Sequence, residues 1–167
     1  ADGVPNYFGP QRFGRRGSTL SQGRQWLLGG QARLKRDRRS LYLSALRAHL
    51  FNMLLGQRVV DGTWNRVLAG DAGALHGTRS LFTCEQPDAD IEMRCAGHDL
   101  HPALPLWGNG DPIATVQRHR NHSDALGDDS TIADALEDMG MSLSYRSARS
   151  FPDDFCWEFC DDGELKL

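Results

Sequence analysis

The chain has 167 residues, of which 25% are charged and 40% hydrophobic, and its formal net charge is −3. That composition excludes a disordered or fibrous chain and fits an ordinary globular protein, one domain or one domain plus part of another, with enough residues to bury a core. No apolar run approaches the roughly 18–20 residues of a membrane-spanning helix, so no membrane partner is expected.

The charge is unevenly spread. Residues 1–60 hold 11 Lys+Arg against 2 Asp+Glu, a balance of +9; residues 61–167 hold 8 against 20, a balance of −12, and the two sum to −3. An Arg-rich front is a candidate for polyanion contact, although the same residues also suit a solvated face.

In chain order, residues 4–17, "VPNYFGPQRFGRRG", read as a Gly-punctuated loop. Asn6 offers a donor and an acceptor on one planar amide, a match for the edge of a base. Tyr7, Phe8 and Phe13 offer faces on which a base can stack, and Arg12 can meet phosphate with two donors. The "GRRG" at 14–17 could cradle a phosphate, but no Gly-Lys-Ser/Thr follows, so it is not a P-loop. Ser18 predicts the cap of a short helix through Trp26-Leu27-Leu28, stopped by Gly29-Gly30. "RLKRDRRS" reads as a basic linker, with Asp37 capping a helix over 38–59. Leu43, Leu46, Leu50, Met53 and Leu54 give that helix one apolar face, with Arg39, Arg47 and Arg58 away from it or at its margin.

Residues 78–85 and 88–97 read as strands, and "HPALPLWGNGDP" as a Pro/Gly loop carrying Trp107. Residues 119–129 read as an acidic loop. Thr131 with Asp134 resembles a capping box, followed by a helical stripe of Ile132, Leu136 and Met139 that Gly140 ends. The terminal "DDFCWEFCDDGELKL" alternates: Phe155, Trp157 and Phe159 on one side, Cys156, Glu158 and Cys160 on the other. It predicts a strand, a turn at Asp162-Gly163 and the start of a hairpin partner. The fold class is α+β, mixed helix and sheet.

Residue types alone give little chemistry. His98 with His101, and His119 with His122, are short pairs near Cys84 and Cys95 in sequence. Neither sits on a predicted helix or carries the Glu of a metalloprotease helix, so no metal is expected. There is no Gly-x-Ser-x-Gly elbow. Cys156 and Cys160 lie in an aromatic strand, where thiols are more often inert than nucleophilic. The cysteine pattern is not that of a disulfide framework and suits reduced thiols in a cytosolic protein.

The run "VPNYFGPQRFG", followed by "RRGSTLSQGRQWL", closely resembles the N-Y-F-G-x-Q-R-F-G motif of the TruD family of tRNA pseudouridine synthases. "RDRRSLYLSALRAHLFNMLL" is similar to the helix that opens the family's inserted TRUD domain, "VLAGDAGALHGTRSLF" to its V-x-x-G-D segment and "HPALPLWGNG" to its P-L-W-G loop.

The resemblance implies isomerisation of a uridine in tRNA, at position thirteen in the bacterial branch. The base is flipped out, cut from its sugar, turned and rejoined through carbon, with no cofactor and with an Asp carboxylate as the working group. It implies two parts: residues 1–31 as the tail of a catalytic domain and 32–167 as most of an inserted TRUD domain. Asn6, Phe8, Arg12 and Phe13 are then substrate-binding candidates. Arg15, Arg16, Lys35, Arg36, Arg38 and Arg39 are candidates for the RNA backbone.

In the family the catalytic Asp stands N-terminal to this motif, in a G-L-K-D-like segment, so the nucleophilic Asp is expected upstream of Ala1 and no catalytic residue is expected within the chain. "LKRDRR" has an extra residue and lies on the wrong side, so Asp37 is not that Asp. A closing L-P-x-G-S-Y/F-A-T stretch would follow Leu167. The chain therefore reads as a piece of a cytoplasmic, monomeric enzyme and, by itself, as inactive. Two other classes stay open. One is an RNA-binding module without chemistry; the other is an interaction protein that docks through its acidic half.

Overall fold

The computed structural model describes residues 2–30 and 33–151, and the backbone of 158–159 and 165–166. Its elements are β1 (Val4–Pro5), α1 (Ser18–Leu28), α2 (Arg36–Val60), β2 (Ala72–Leu75), β3 (Leu81–Thr83), α3 (Ala89–Ala96), β4 (Leu100–Leu106), α4 (Val116–Ala125), α5 (Ser130–Asp138), β5 (Ser144–Ser147), β6 (Arg149–Ser150), β7 (Glu158–Phe159) and β8 (Leu165–Lys166). The predicted α+β class holds. Short 3₁₀ turns over Pro10–Phe13 and Arg15–Gly17 fill the stretch expected as loop.

α2 is the central column. Leu43, Leu46, Leu50 and Leu54 are buried along it, as their spacing predicts. Phe51 and Leu55 add a second buried stripe, because α1 and α5 cover one side and the sheet covers another. Leu27, Leu104, Trp107, Ile132 and Leu136 complete this core. The helix begins slightly earlier than Asp37 suggests: Lys35 is its cap residue, and Asp37 lies in the first turn, where a carboxylate favours the helix dipole.

Strands β3, β2, β4 and β5 form one antiparallel sheet in that order. The register puts Gly73, Leu75, Phe82, Leu100 and Leu104 on the face that packs against helices, and Ala72, Ala74, Leu81, His101, Ala103, Tyr145 and Ser147 on the other. β1 pairs with β6, so the N-terminal segment runs along the edge next to β5. β7 pairs with β8 as the terminal hairpin reading expects; its turn at Asp162-Gly163 and Cys156 and Cys160 lie outside the described residues.

Four expected elements are corrected. Residues 100–106 are a buried strand rather than a Pro/Gly loop. Pro102 and Pro105 would ordinarily bar a central strand. Here β2 pairs with Leu100–Ala103 and β5 with Ala103–Leu106, so Pro105 has a ladder on one side only. Pro102 pairs with Gly73 and also accepts from Ala148 N–H, and the Ala148 carbonyl that its missing N–H leaves free accepts from Asn6 N–H instead. Residues 89–96 are a helix rather than a strand: the Asp88 carboxylate accepts from Ile91 N–H at 2.9 Å, and Asp90, Glu92 and Arg94 sit at the ends the dipole favours. Most of residues 119–129 continue a helix that Thr115 caps through Arg118 N–H. The Thr131–Asp134 capping box does not form; Thr131 donates instead to Asp128 O, and α5 starts from Asp129 without a side-chain cap.

Arg58 departs furthest from expectation. It is not at a helix margin but 6% exposed. Its guanidinium meets the fully buried Asp71 at 2.8 Å, and Arg118 approaches the second oxygen of Asp71 at 3.1 Å. Asp71 also accepts from Leu68 N–H, so the "GD" pair locks the end of α2 to the start of β2 and to α4. Gly70 is required there: its φ is +81°, and a Cβ would stand 2.6 Å from Thr115 Oγ1.

Candidate nucleic-acid interface

The N-terminal motif is held as a strap. Val4 and Pro5 pair with β6, and Asn6 N–H donates to Ala148 O at 2.9 Å. The Asn6 amide donates to Ser147 O at 2.9 Å and accepts from Arg146 at 2.6 Å. One amide N–H and one lone pair of Asn6 remain uncommitted. Two residues on, Asn52 of α2 clamps the backbone of Phe8 from both sides, accepting from its N–H and donating to its carbonyl, each at 2.9 Å. Arg12 then donates to Ser44 at 3.0 Å. From Asn52 to Ser44 is eight residues, or about 12 Å of helix. The strap thus runs along α2 towards its basic start.

The aromatics of the strap divide their work. Phe8 meets Phe51 edge to face at 5.4 Å, while the Arg146 guanidinium lies 4.3 Å above its ring. Arg12 stands over the same ring at 5.6 Å. Phe8 is therefore part of the packing, Phe13 is half-buried and Tyr7 is exposed. Arg12, Arg15, Arg16, Lys35, Arg36, Arg38 and Arg39 are exposed and make no ion pair among the described residues. Arg39 does donate to Met139 O at the end of α5. Arg24, Arg47 and Arg58, counted in the basic front, are committed elsewhere: to Asp129, to the Leu106 and Ser142 carbonyls, and to Asp71.

Of the four substrate-binding candidates, Asn6 alone lines a cleft of about 520 Å³ on the face of the sheet opposite α2 and α3. Ala74, Leu81, His101, Tyr145 and Ser147 form its floor, and the β2–β3 turn over residues 77–80 forms a wall. Of the small side chains on this face Ala74 lines the cleft, while Ala72 and Ala103 are buried beside it against Ile113 and Ala114. Among the described residues no carboxylate lines it. The nucleophilic Asp expected upstream of Ala1 is not placed by this geometry: Ala1 itself lies outside the described residues, and the strap is described from Asp2 onwards.

Beneath the cleft Arg149 is 3% exposed. Its Nε–H donates to His101 Nδ1 at 3.0 Å, and its Nη2 donates to the Cys95 and Leu100 carbonyls at 2.8 Å. His101 in turn stands 2.9 Å from His76. Burial, followed by the charge of Arg149, pushes His101 down to about 4, so it is neutral near pH 7.

The histidine pairs resolve into separate roles. His98 and His101 flank Phe151, His119 stacks on Trp107 at 5.2 Å, and His122 is buried beside Arg58 and Arg118. Among the described residues no group of three His, Cys, Asp or Glu is placed to hold a metal. Cys84 and Cys95 are free and buried. Arg146 and Arg149 went unread in the sequence, although the alternation of "SYRSARS" (144–150) was the available signal: Tyr145 and Ser147 point to the cleft, Arg146 to the helices.

The family model for tRNA pseudouridine synthase D (TruD) matches residues 18–142. A tRNA pseudouridine synthase D of Methylococcus capsulatus is 40% identical over 149 residues, covering 89% of this chain and 42% of the relative. One of Pseudomonas aeruginosa is 37% identical over 167 residues, covering all of this chain and 47% of the relative. The chain thus spans somewhat under half the length of these relatives. The crystal structure of a protein described as a putative tRNA pseudouridine synthase D from Methanosarcina mazei has a TM-score of 0.60, covering 89% of this chain and 52% of that one, at 14% identity.

Proposed function

The chain belongs to the TruD family of tRNA pseudouridine synthases, and from that premise we propose that it is part of an enzyme converting a uridine of tRNA, at position thirteen, to pseudouridine. The observation that carries this reading is Asn6. The residue that the family motif assigns to the uridine region lies on the wall of an open cleft that no carboxylate lines among the described residues, with one N–H and one lone pair uncommitted there.

The reaction is an isomerisation, so no atoms are gained. The N1 bond to the ribose breaks and a bond from C5 replaces it, while C5 loses a proton and N1 gains one. A carboxylate has to act at the sugar or the base, and none of the described residues lining the cleft supplies one. The working Asp belongs to the family's G-L-K-D-like segment, which has no match within residues 1–167 and is proposed to lie upstream of Ala1. The 167 residues alone are therefore proposed to be inactive. Residues 1–31 would belong to the catalytic domain and 32–167 to the inserted domain, in a cytoplasmic enzyme that acts as a monomer without a cofactor.

Phe8 and Phe13 would shape the strap that presents Asn6, and the exposed cations Arg12, Arg15, Arg16, Lys35, Arg36, Arg38 and Arg39 would meet the RNA backbone. The test is isomerisation of a tRNA transcript by the full-length protein, with uridine or cytidine at position thirteen. Turnover confined to the uridine transcript, and lowered at least tenfold by Asn6→Ala, is the expected result. Turnover by the 167 residues alone would overturn the claim of inactivity; equal turnover at other uridines would overturn the position.

A further inference from the structure

Arg149 is a buried cation without a counter-ion among the described residues: its donors go to two carbonyls and a neutral imidazole, and Asp2 acts on it only at a distance, without an ion pair. A buried charge left uncompensated in this way favours an anion in the adjoining space. The hydrogen bonds convey that preference to the cleft. Arginine can only donate, so Nδ1 of His101 must accept and its proton sits on Nε2. That proton faces His76 Nδ1 at 2.9 Å, so a neutral His76 must carry its own proton on Nε2. His76 is exposed and lines the cleft. The chain Arg149 to His101 to His76 is thus a polarised series that presents one N–H donor to solvent. Three residues on, in the β2–β3 turn, Arg79 also lines the cleft; it is exposed and has no ion pair among the described residues.

We propose that this cleft is a phosphate site for the RNA strand, in which Arg79 and the Nε2–H of His76 hold one phosphodiester while Asn6 faces the adjoining nucleotide. The space is too large for a lone phosphate and falls in the range of small-molecule pockets, which suits a nucleotide unit. The RNA assignment rests on the function proposed above; the phosphate chemistry does not.

The test uses the full-length protein with two probes, a tRNA and inorganic phosphate. Arg79→Ala is expected to weaken tRNA binding about tenfold and to lower the slope of log affinity against log salt by about one. Arg79→Lys should keep the slope, and Arg120→Ala, an exposed arginine outside the cleft, should change neither. Inorganic phosphate should shift the His76 imidazole nitrogen resonances in the wild type and not in Arg79→Ala. A phosphate response with unchanged tRNA binding in Arg79→Ala would leave a free-phosphate site and overturn the RNA assignment. No phosphate response and unchanged tRNA binding would overturn the site altogether. If the site behaves as expected while no uridine is isomerised, the site stands and the proposed enzyme activity fails.

Discussion

Asn6 and Arg146 are joined across 140 residues of chain by a 2.6 Å hydrogen bond from the guanidinium to the Asn6 amide oxygen. The same guanidinium covers the ring of Phe8 at 4.3 Å and approaches Phe51 at 5.8 Å. One side chain of β5 therefore fixes both the residue that faces the cleft and the residue that anchors the strap on α2. Arg146 thus adds to the Ser147 and Ala148 carbonyls in fixing how Asn6 faces the cleft.

Arg146→Ala removes a charge-assisted hydrogen bond and the stacking on Phe8, so a loss of about 2–3 kcal/mol is expected. Arg146→Lys should recover less than half, because an ammonium cannot both stack on a ring and reach the amide in one plane. Urea denaturation measures both. A loss under about 0.5 kcal/mol for Arg146→Ala would show that the strap does not depend on this contact.

The basic start of α2 is solvated, so its contribution to RNA affinity should be electrostatic. Replacing Arg36, Arg38 and Arg39 by Ala is expected to lower the dependence of tRNA affinity on salt by up to about 2–3 in log–log slope. Stability should change little, since Arg36 and Arg38 make no ion pair among the described residues and Arg39 adds a single exposed bond to Met139. An unchanged slope would place the RNA elsewhere on the surface.

Asp71 is fully buried between Arg58 and Arg118. Asp71→Asn leaves Arg58 buried without its anion, and breaking a buried pair in this way costs about 3–5 kcal/mol. Denaturation of the variant should show this loss with no direct effect on the cleft, because none of the three residues lines it. A cost below about 1 kcal/mol would mean that the carbonyls of Thr63 and Arg66, which also accept from Arg58, satisfy the cation by themselves.

Gly108 follows β4 at the point where Asn109 bridges to Ser142. A Cβ there would collide with Met141 O and lie 2.7 Å from the Ser142 carbonyl carbon, and backbone cannot rotate aside as a side chain can. Gly108→Ala is expected to cost about 1–3 kcal/mol, or roughly 2–4 °C of Tm per kcal/mol in a chain of this size. An unshifted melting curve would show that the 141–142 segment yields at no cost.

The legible part of the fold is the part written in local spacing. Four leucines of α2 announced its buried face, and the terminal hairpin showed in its alternation. The Asn6 strap could be read as a candidate base holder, the role proposed above, because an amide, rings and arginines stand close in sequence. What failed depended on partners distant in sequence. Pro102 and Pro105 argued against a strand until the staggered ladders of β2 and β5 were known. Arg58 looked like a surface residue because Asp71 lies 13 residues beyond it and outside the helix. The cleft itself is assembled from β2, β4, β5 and the strap, with Arg149 supplying a charge that no local motif signals.

Stability should depend on pH through two buried histidines. Burial, then the charges of Arg149, His76 and His98, lower His101 to about 4, with Asp99 opposing. Burial, then Arg58, Arg118 and His119, lower His122 to about 3. In the unfolded chain both take up protons near their ordinary value of 6.5. Between pH 6.5 and about 4 the unfolded state therefore binds more protons than the folded state. Stability is full above 6.5 and falls as the pH drops, by up to about 1.4 kcal/mol per pH unit for each histidine. The urea midpoint should accordingly be lower at about pH 5 than at about pH 7.5, and His122→Gln should remove close to half of that dependence. A midpoint that is equal or higher at the acid pH would mean that these imidazoles are charged in the folded protein, and the neutral relay from Arg149 through His101 to His76 would fall with them.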